Sequence, residues 1–139
     1  HLTGRRWYEE QVKAYAGLGN VKTLDYCEEI FQLIKATDVM ICRSGASTLA
    51  EIIACKVPAV FVPFPYAAAN HQYFNAKVLQ DGGCAKVIVE SPQLAKELQS
   101  ALSSFTPEVL AAMRASYQTL AVPDPLQATA RITQLLTDL

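Results

Sequence analysis

Histidine is scarce in this chain of 139 residues, where only His1 and His71 occur. No serine–histidine–aspartate order, cysteine–histidine pair or close carboxylate pair can be assembled, so the residues nominate no catalytic group. Metal-type spacing is lacking as well. The four cysteines, Cys27, Cys42, Cys55 and Cys84, include no Cys-x-x-Cys pair, and no histidine stands at a finger-like interval. A structural metal site is therefore not expected. Cys42 and Cys55 fall in apolar runs, where a reduced thiol acts as a small core residue, and this points to a reducing, cytoplasmic compartment.

Charge of one sign is also missing. Twelve Lys and Arg stand against thirteen Asp and Glu, for a net charge of −1. Nucleic-acid binding would ask for a basic excess, so no nucleic-acid partner is expected. Only Arg5 and Arg6 are adjacent, so there is no polybasic membrane patch. The longest apolar stretch, Val57 to Ala69, is interrupted by Pro58, Pro63 and Pro65 and is too short to span a bilayer. The chain opens without an apolar signal segment and without an initiator methionine. It is expected to be a piece of something longer.

What is present is hydrophobic patterning: 51% of the residues are apolar, enough for one ordinary domain with its own core. Tyr8 to Leu18 has the spacing of an amphipathic helix closed by Gly17 and Gly19. Val21 to Leu24 is a short strand candidate, and Ile30 to about Ala36 a helix. Asp38 to Cys42 reads as a strand covered on both faces, Ser47 to Cys55 as a helix, and Ala59 to Val62 as another buried strand. A proline-stiffened loop follows, then a helix from Asn70 or His71 to a glycine stop at Gly82-Gly83. Ala85 to Val89 is the next strand. Helices over Gln93–Ser103, Pro107–Leu120 and Leu126–Leu136 complete the chain, the second behind Thr106 as a cap. Strands alternating with helices predict an α/β fold with a doubly wound parallel sheet, whose ligands bind at the carboxyl ends of strands.

Two motifs lie at such ends. Arg43-Ser-Gly-Ala-Ser-Thr48 offers Gly45 for a tight turn and the N–H groups of Ala46, Ser47 and Thr48 for a diphosphate. The plain alternative is that Thr48-Leu-Ala-Glu51 is a capping box. Glu51 is placed to accept hydrogen bonds from the vicinal hydroxyls of a ribose, or else only caps the helix. Asn70-His-Gln-Tyr-Phe-Asn75 puts Gln72 and Asn75 on one helix face, where amide forks suit adjacent hydroxyls, with His71 beside them. Here the alternative is that Asn70 caps the helix and the rest is polar surface. Arg43 is open to phosphate or to an acid such as Asp38, and Tyr66 to a ligand or to the loop prolines. Phosphate binding beside sugar-type donors and acceptors reads as a nucleotide-sugar site.

At these motifs the sequence resembles the carboxy-terminal half of the MurG family. The likeness runs from His1-Leu-Thr-Gly4 through Ala36 to Glu51 and Pro58 to Phe64 as far as His71-Gln-Tyr-Phe-Asn-Ala76. That family moves N-acetylglucosamine (GlcNAc) from UDP-GlcNAc to the lipid-linked muramoyl-pentapeptide precursor of peptidoglycan, lipid I, giving lipid II.

The resemblance implies a Rossmann-like carboxy-terminal domain of a GT-B glycosyltransferase, here lacking its first strand and its glycine-serine loop. Residues 1–139 would then be one partial UDP-GlcNAc-binding domain, with the acceptor-binding amino-terminal domain absent. It implies that Ala46, Ser47, Thr48, Leu49, Ala50 and Glu51 bind diphosphate and ribose, and that His71, Gln72 and Asn75 hold GlcNAc. Cys27, in Leu24-Asp-Tyr-Cys-Glu-Glu-Ile30, aligns with the position whose backbone reads uracil. No catalytic residue, metal or cofactor is implied for these residues, the reaction inverts the anomeric centre, and the whole protein would be peripheral on the inner face of the bacterial plasma membrane. The chain alone would be inactive and, with an open sheet edge, prone to self-association. The alternative is a non-catalytic nucleotide-sugar module, or a subunit completed by a partner chain.

Overall fold

A computed structural model describes residues 1–137, so the last two residues of the domain expected over 1–139 lie outside the described residues. The chain forms two compact units, His1–Gln32 and the remainder from Leu33. In the first unit a short 3-10 turn, Arg5–Trp7, leads into helix α1 (Tyr8–Ala14), which stops four residues earlier than the pattern predicts. The expected strand over Val21–Leu24 is reduced to one parallel bridge, Leu2 with Leu24. Its ladder is short because only Thr3 N–H to Leu24 O and Leu24 N–H to His1 O are exchanged, each at 2.9 Å.

Helix α2 (Ile30–Lys35) then precedes the sheet of the second unit. Its three parallel strands, β1 (Met40–Cys42), β2 (Ala59–Phe61) and β3 (Ala85–Val87), lie in the order β1-β2-β3. Met40 faces Ala59 and Ala59 faces Ala85, so the three carboxyl ends are level. Helix α3 (Ala46–Cys55) connects β1 to β2 and α4 (His71–Asp81) connects β2 to β3. The chain continues through α5 (Leu94–Ser103), α6 (Pro107–Ser116) and α7 (Ala128–Thr137).

Alternation along β2 divides the core between two faces of the sheet. Ala59 and Phe61 pack with Leu49, Ile52, Ala76, Leu79 and Tyr117, from α3, α4 and the end of α6. Val60 packs on the other face with Ile88 and Ala101, flanked by Leu94, Leu98 and Phe105. Helices thus cover both faces, the doubly wound arrangement. All three β2 residues are 0% exposed, whereas Ile41 of the edge strand β1 is 47% exposed, so the expectation of two covered faces holds for β2 and fails for β1.

The helix stops are built from sequence. Gly83, at φ +75°, lets Cys84 N–H reach Leu79 O at 2.8 Å, closing α4 as the glycine pair predicts. Helix α3 closes the same way around Lys56 at φ 54°, a non-glycine residue held left-handed by buried Val57 and Ile52 on either side of the turn.

Candidate functional site

The carboxyl ends of β1 and β2 deliver the two motifs to one edge of the sheet. After Cys42 the chain passes Arg43 and Ser44 and enters α3 at Gly45, the N-cap residue. Gly45 has φ −66° and ψ 153°, extended backbone open to any residue, so the expectation that a tight turn requires this glycine is corrected. What it supplies is space: a Cβ built there meets nothing within 4 Å. No side chain caps α3, and the expected capping box is absent. The helix starts earlier than the pattern predicts, so Thr48 stands in its first turn, where its hydroxyl is past the capping position. The first intrahelical bond is Leu49 N–H to Gly45 O at 2.9 Å, which leaves the N–H groups of Ala46, Ser47 and Thr48 ahead of it.

Leu49 is 9% exposed and turns into the core, so of the six residues expected at the phosphate and ribose it anchors the helix start from behind. Ala50 is half-buried in the same turn. Glu51 is half-buried too, and no described side chain or backbone group pairs with its carboxylate. Its charge acts on the thiols on either side. Cys42 is pushed up to about 12, by burial first and by Glu51 second. Cys55 is also raised, by burial, with Lys35 opposing and Glu51 adding. A carboxylate without a cation is a group with unused acceptor capacity.

The second motif opens α4. Ala69 and Asn70 both adopt left-handed backbone, at φ 49° and 54°, and Asn70 makes no side-chain cap, so the plain capping alternative fails here also. His71 Nδ1–H donates to Ala68 O at 2.8 Å on the exposed side. Gln72 does not present a complete amide fork as expected. Its Oε1 accepts Phe64 N–H at 2.9 Å, leaving the Nε2 donor for anything outside. Asn75 Nδ2–H makes a long 3.4 Å contact to Ser44 O, leaving Oδ1 as an acceptor. The starts of α3 and α4 thus lie side by side on the second unit, joined through Ser44, with Ala46, Ser47, Thr48, Ala50 and Glu51 on the α3 side, His71, Gln72 and Asn75 on the α4 side, and Leu49 turned into the core.

Cys27 lies in the first unit, half-buried. It lines an open groove of about 450 Å³ with Leu2, Thr3, Gly4, Tyr26 and Glu28.

Two residues at this edge were not singled out as site residues from sequence. Ser44 is 0% exposed, and its Oγ–H donates to Gln72 O at 2.8 Å. A polar residue ending an apolar run was the available signal. Glu90, beyond β3, takes Arg43: Nη1 donates to Glu90 Oε2 at 2.8 Å and to Val62 O and Pro63 O at 3.1 Å. Arg43 thus ties three strand ends together, and Asp38 sits instead 3.9 Å from Arg114. Tyr66 is 85% exposed, its ring edge-on to Phe64 at 5.7 Å.

Comparison with known proteins places this arrangement. Residues 1–128 match the glycosyltransferase family 28 C-terminal domain. The chain is 42% identical over 130 residues to the UDP-N-acetylglucosamine–N-acetylmuramyl-(pentapeptide) pyrophosphoryl-undecaprenol N-acetylglucosamine transferase of Elusimicrobium minutum, covering 92% of this chain and 36% of that protein. It is 36% identical to the protein of the same name from Desulforudis audaxviator, over 98% of this chain and 39% of that one. The crystal structure of Acinetobacter baumannii MurG superposes over the whole chain with a TM-score of 0.84 and 30% identity, the match taking 40% of that structure. The chain thus spans little more than a third of the curated relatives it matches. It belongs to glycosyltransferase family 28, as a carboxy-terminal domain of the MurG type.

Proposed function

We propose that these residues form the donor-sugar-binding domain of an inverting glycosyltransferase that moves GlcNAc from UDP-GlcNAc to lipid I, giving lipid II in peptidoglycan synthesis. The observation that carries this reading is the open start of α3, with Glu51 unpaired one turn in and the amides of α4 on the same edge. The names of the relatives, each an N-acetylglucosamine transferase acting on a pyrophosphoryl-undecaprenol acceptor, support it.

In this reading the N–H groups of Ala46, Ser47 and Thr48 face the diphosphate, where the helix dipole favours negative charge. That is where charge develops as UDP leaves, so the same groups stabilise the departing diphosphate with no need to reorganise. Glu51 accepts the ribose hydroxyls. Gln72 donates through Nε2 to a sugar oxygen, Asn75 accepts through Oδ1, and His71 borders the sugar. The backbone at Cys27 reads uracil. The reading assigns no metal or other cofactor, and no catalytic group, to these residues.

Residues 1–139 act here as a single donor domain, and the lipid-linked acceptor binds the part of the protein that the relatives' remaining length represents. No helix among the described residues is long and apolar enough to cross a membrane. The full protein is proposed to sit peripherally on the inner face of the bacterial plasma membrane, and the isolated chain to self-associate along the edge of β1, where Ile41 is exposed.

The test is transfer. A protein carrying this domain joined to a MurG-type amino-terminal domain should release UDP only when the lipid acceptor is supplied. Donor binding with no acceptor-dependent release would refute the transferase reading and leave a nucleotide-sugar-binding module.

A further inference from the structure

The two halves of the proposed site are carried by different helices, and one buried residue joins them. Ser44 stands between the last residue of β1 and the N-cap of α3, so any shift of Ser44 moves Gly45 and the N–H groups behind it. Its side chain reaches the other helix: Oγ–H donates to the backbone oxygen of Gln72 at 2.8 Å, in the first turn of α4. Its own backbone oxygen lies 3.4 Å from Asn75 Nδ2. Burying a hydroxyl at 0% exposure is unfavourable unless the hydroxyl is bonded, and in a medium of low dielectric that bond is stronger than at the surface. Gln72 is held at a second point, where its Oε1 accepts Phe64 N–H. Between them these bonds fix both the height of the first turn of α4 and the direction of the Gln72 donor.

We propose that Ser44 is a positioning residue that couples the phosphate-binding start of α3 to the sugar-binding start of α4. It touches no substrate and acts through Gln72 and Asn75. The inference rests on the donor-binding reading above and goes further, because it assigns discrimination between nucleotide and nucleotide-sugar to a residue that is not among the expected ligand residues of either motif. The consequence is specific. The diphosphate of UDP engages the start of α3, whereas the sugar needs α4 held at the right distance from α3. Loss of the Ser44 hydroxyl should therefore weaken the sugar's contribution and spare the nucleotide's.

The experiment is calorimetric titration of the whole chain, as wild type, Ser44→Ala and Ser44→Cys, with UDP and with UDP-GlcNAc, alongside thermal melts. For Ser44→Ala the expected result is UDP affinity within about twofold of wild type and UDP-GlcNAc affinity lower by about tenfold, the size of one buried hydrogen bond. Ser44→Cys, which keeps a weak donor of similar size, should fall between. A merely structural role would lower the melting temperature and weaken both ligands in proportion, and that outcome overturns the inference while leaving donor binding intact. Unchanged affinity for both ligands overturns it equally. Should wild type bind no UDP-GlcNAc, the donor-binding reading falls and the coupling role falls with it. If Ser44→Ala does not fold, Ser44→Cys decides by the same ratio.

Discussion

Helices α3 and α6 begin in opposite ways. At α6, Thr106 Oγ1 accepts Val109 N–H at 3.3 Å, Pro107 fills the first position, and Glu108, lowered chiefly by its hydrogen bond with Thr106, adds negative charge at the positive end. The chain satisfies this helix by itself. At α3 the N-cap is Gly45, no side chain caps, and no acidic residue lies in the first turn. Both starts follow from local sequence, yet only α6 is finished from within. A helix start left open at the carboxyl end of a parallel strand, in front of a residue with empty space over its Cα, is suited to an external anion.

The difference can be broken most severely by giving α3 the cap it lacks. Gly45→Asp should stabilise the fold slightly, by about 0.5 kcal/mol, since an acidic cap complements the helix start. The same change should weaken UDP-GlcNAc binding by about a hundredfold or more, because a carboxylate then takes the N–H groups and repels the diphosphate. Thermal melts and calorimetry on one preparation check both signs. Loss of stability together with loss of binding would mean that Gly45 serves the fold.

The converse change at α6 is smaller. Thr106→Ala should cost about 1 kcal/mol of stability, the usual value of a lost cap, and leave donor affinity unchanged. Denaturant unfolding and titration separate the two. A fall in affinity would show that the two helix starts are energetically linked.

How far this contrast was legible in the sequence is itself instructive. Thr106-Pro107 announced its cap because capping is local chemistry, read from three residues. Around α3, Thr48-Leu-Ala-Glu51 imitated a capping box, and only the true start at Gly45 shows that Glu51 is free of that role. The order of strands and helices was readable from apolar runs, since both core faces of β2 are filled by consecutive hydrophobic residues. Exposure of Ile41 was not, because an edge strand and a central strand can carry the same run. Ser44 bonding to Gln72 spans 28 positions, and the Arg43–Glu90 pair 47, separations that no local pattern encodes.

The finest effect concerns the thiol beside the site. The Cys42 thiol is raised from 9.0 to about 12, so the folded state holds its proton where the unfolded chain releases it. Stability from this group is complete below about pH 9 and is lost as pH rises toward 12. Melting temperature should therefore begin to fall above about pH 9. Glu51→Gln, which removes the second cause of the shift, should make that fall shallower, while burial, the first cause, keeps most of it. An unchanged slope would place the Glu51 charge away from Cys42.

In the proposed function, the open start of α3 and Glu51 together take a nucleotide-sugar. The most direct test is calorimetric titration of the chain with UDP-GlcNAc against UDP-glucose, with Glu51→Ala as the control. Selective binding of UDP-GlcNAc, weakened about thirtyfold by Glu51→Ala through the loss of hydrogen bonds to a charged acceptor, is the result predicted here. Binding that ignores the substitution, or no binding by a chain with a cooperative melt, would contradict it.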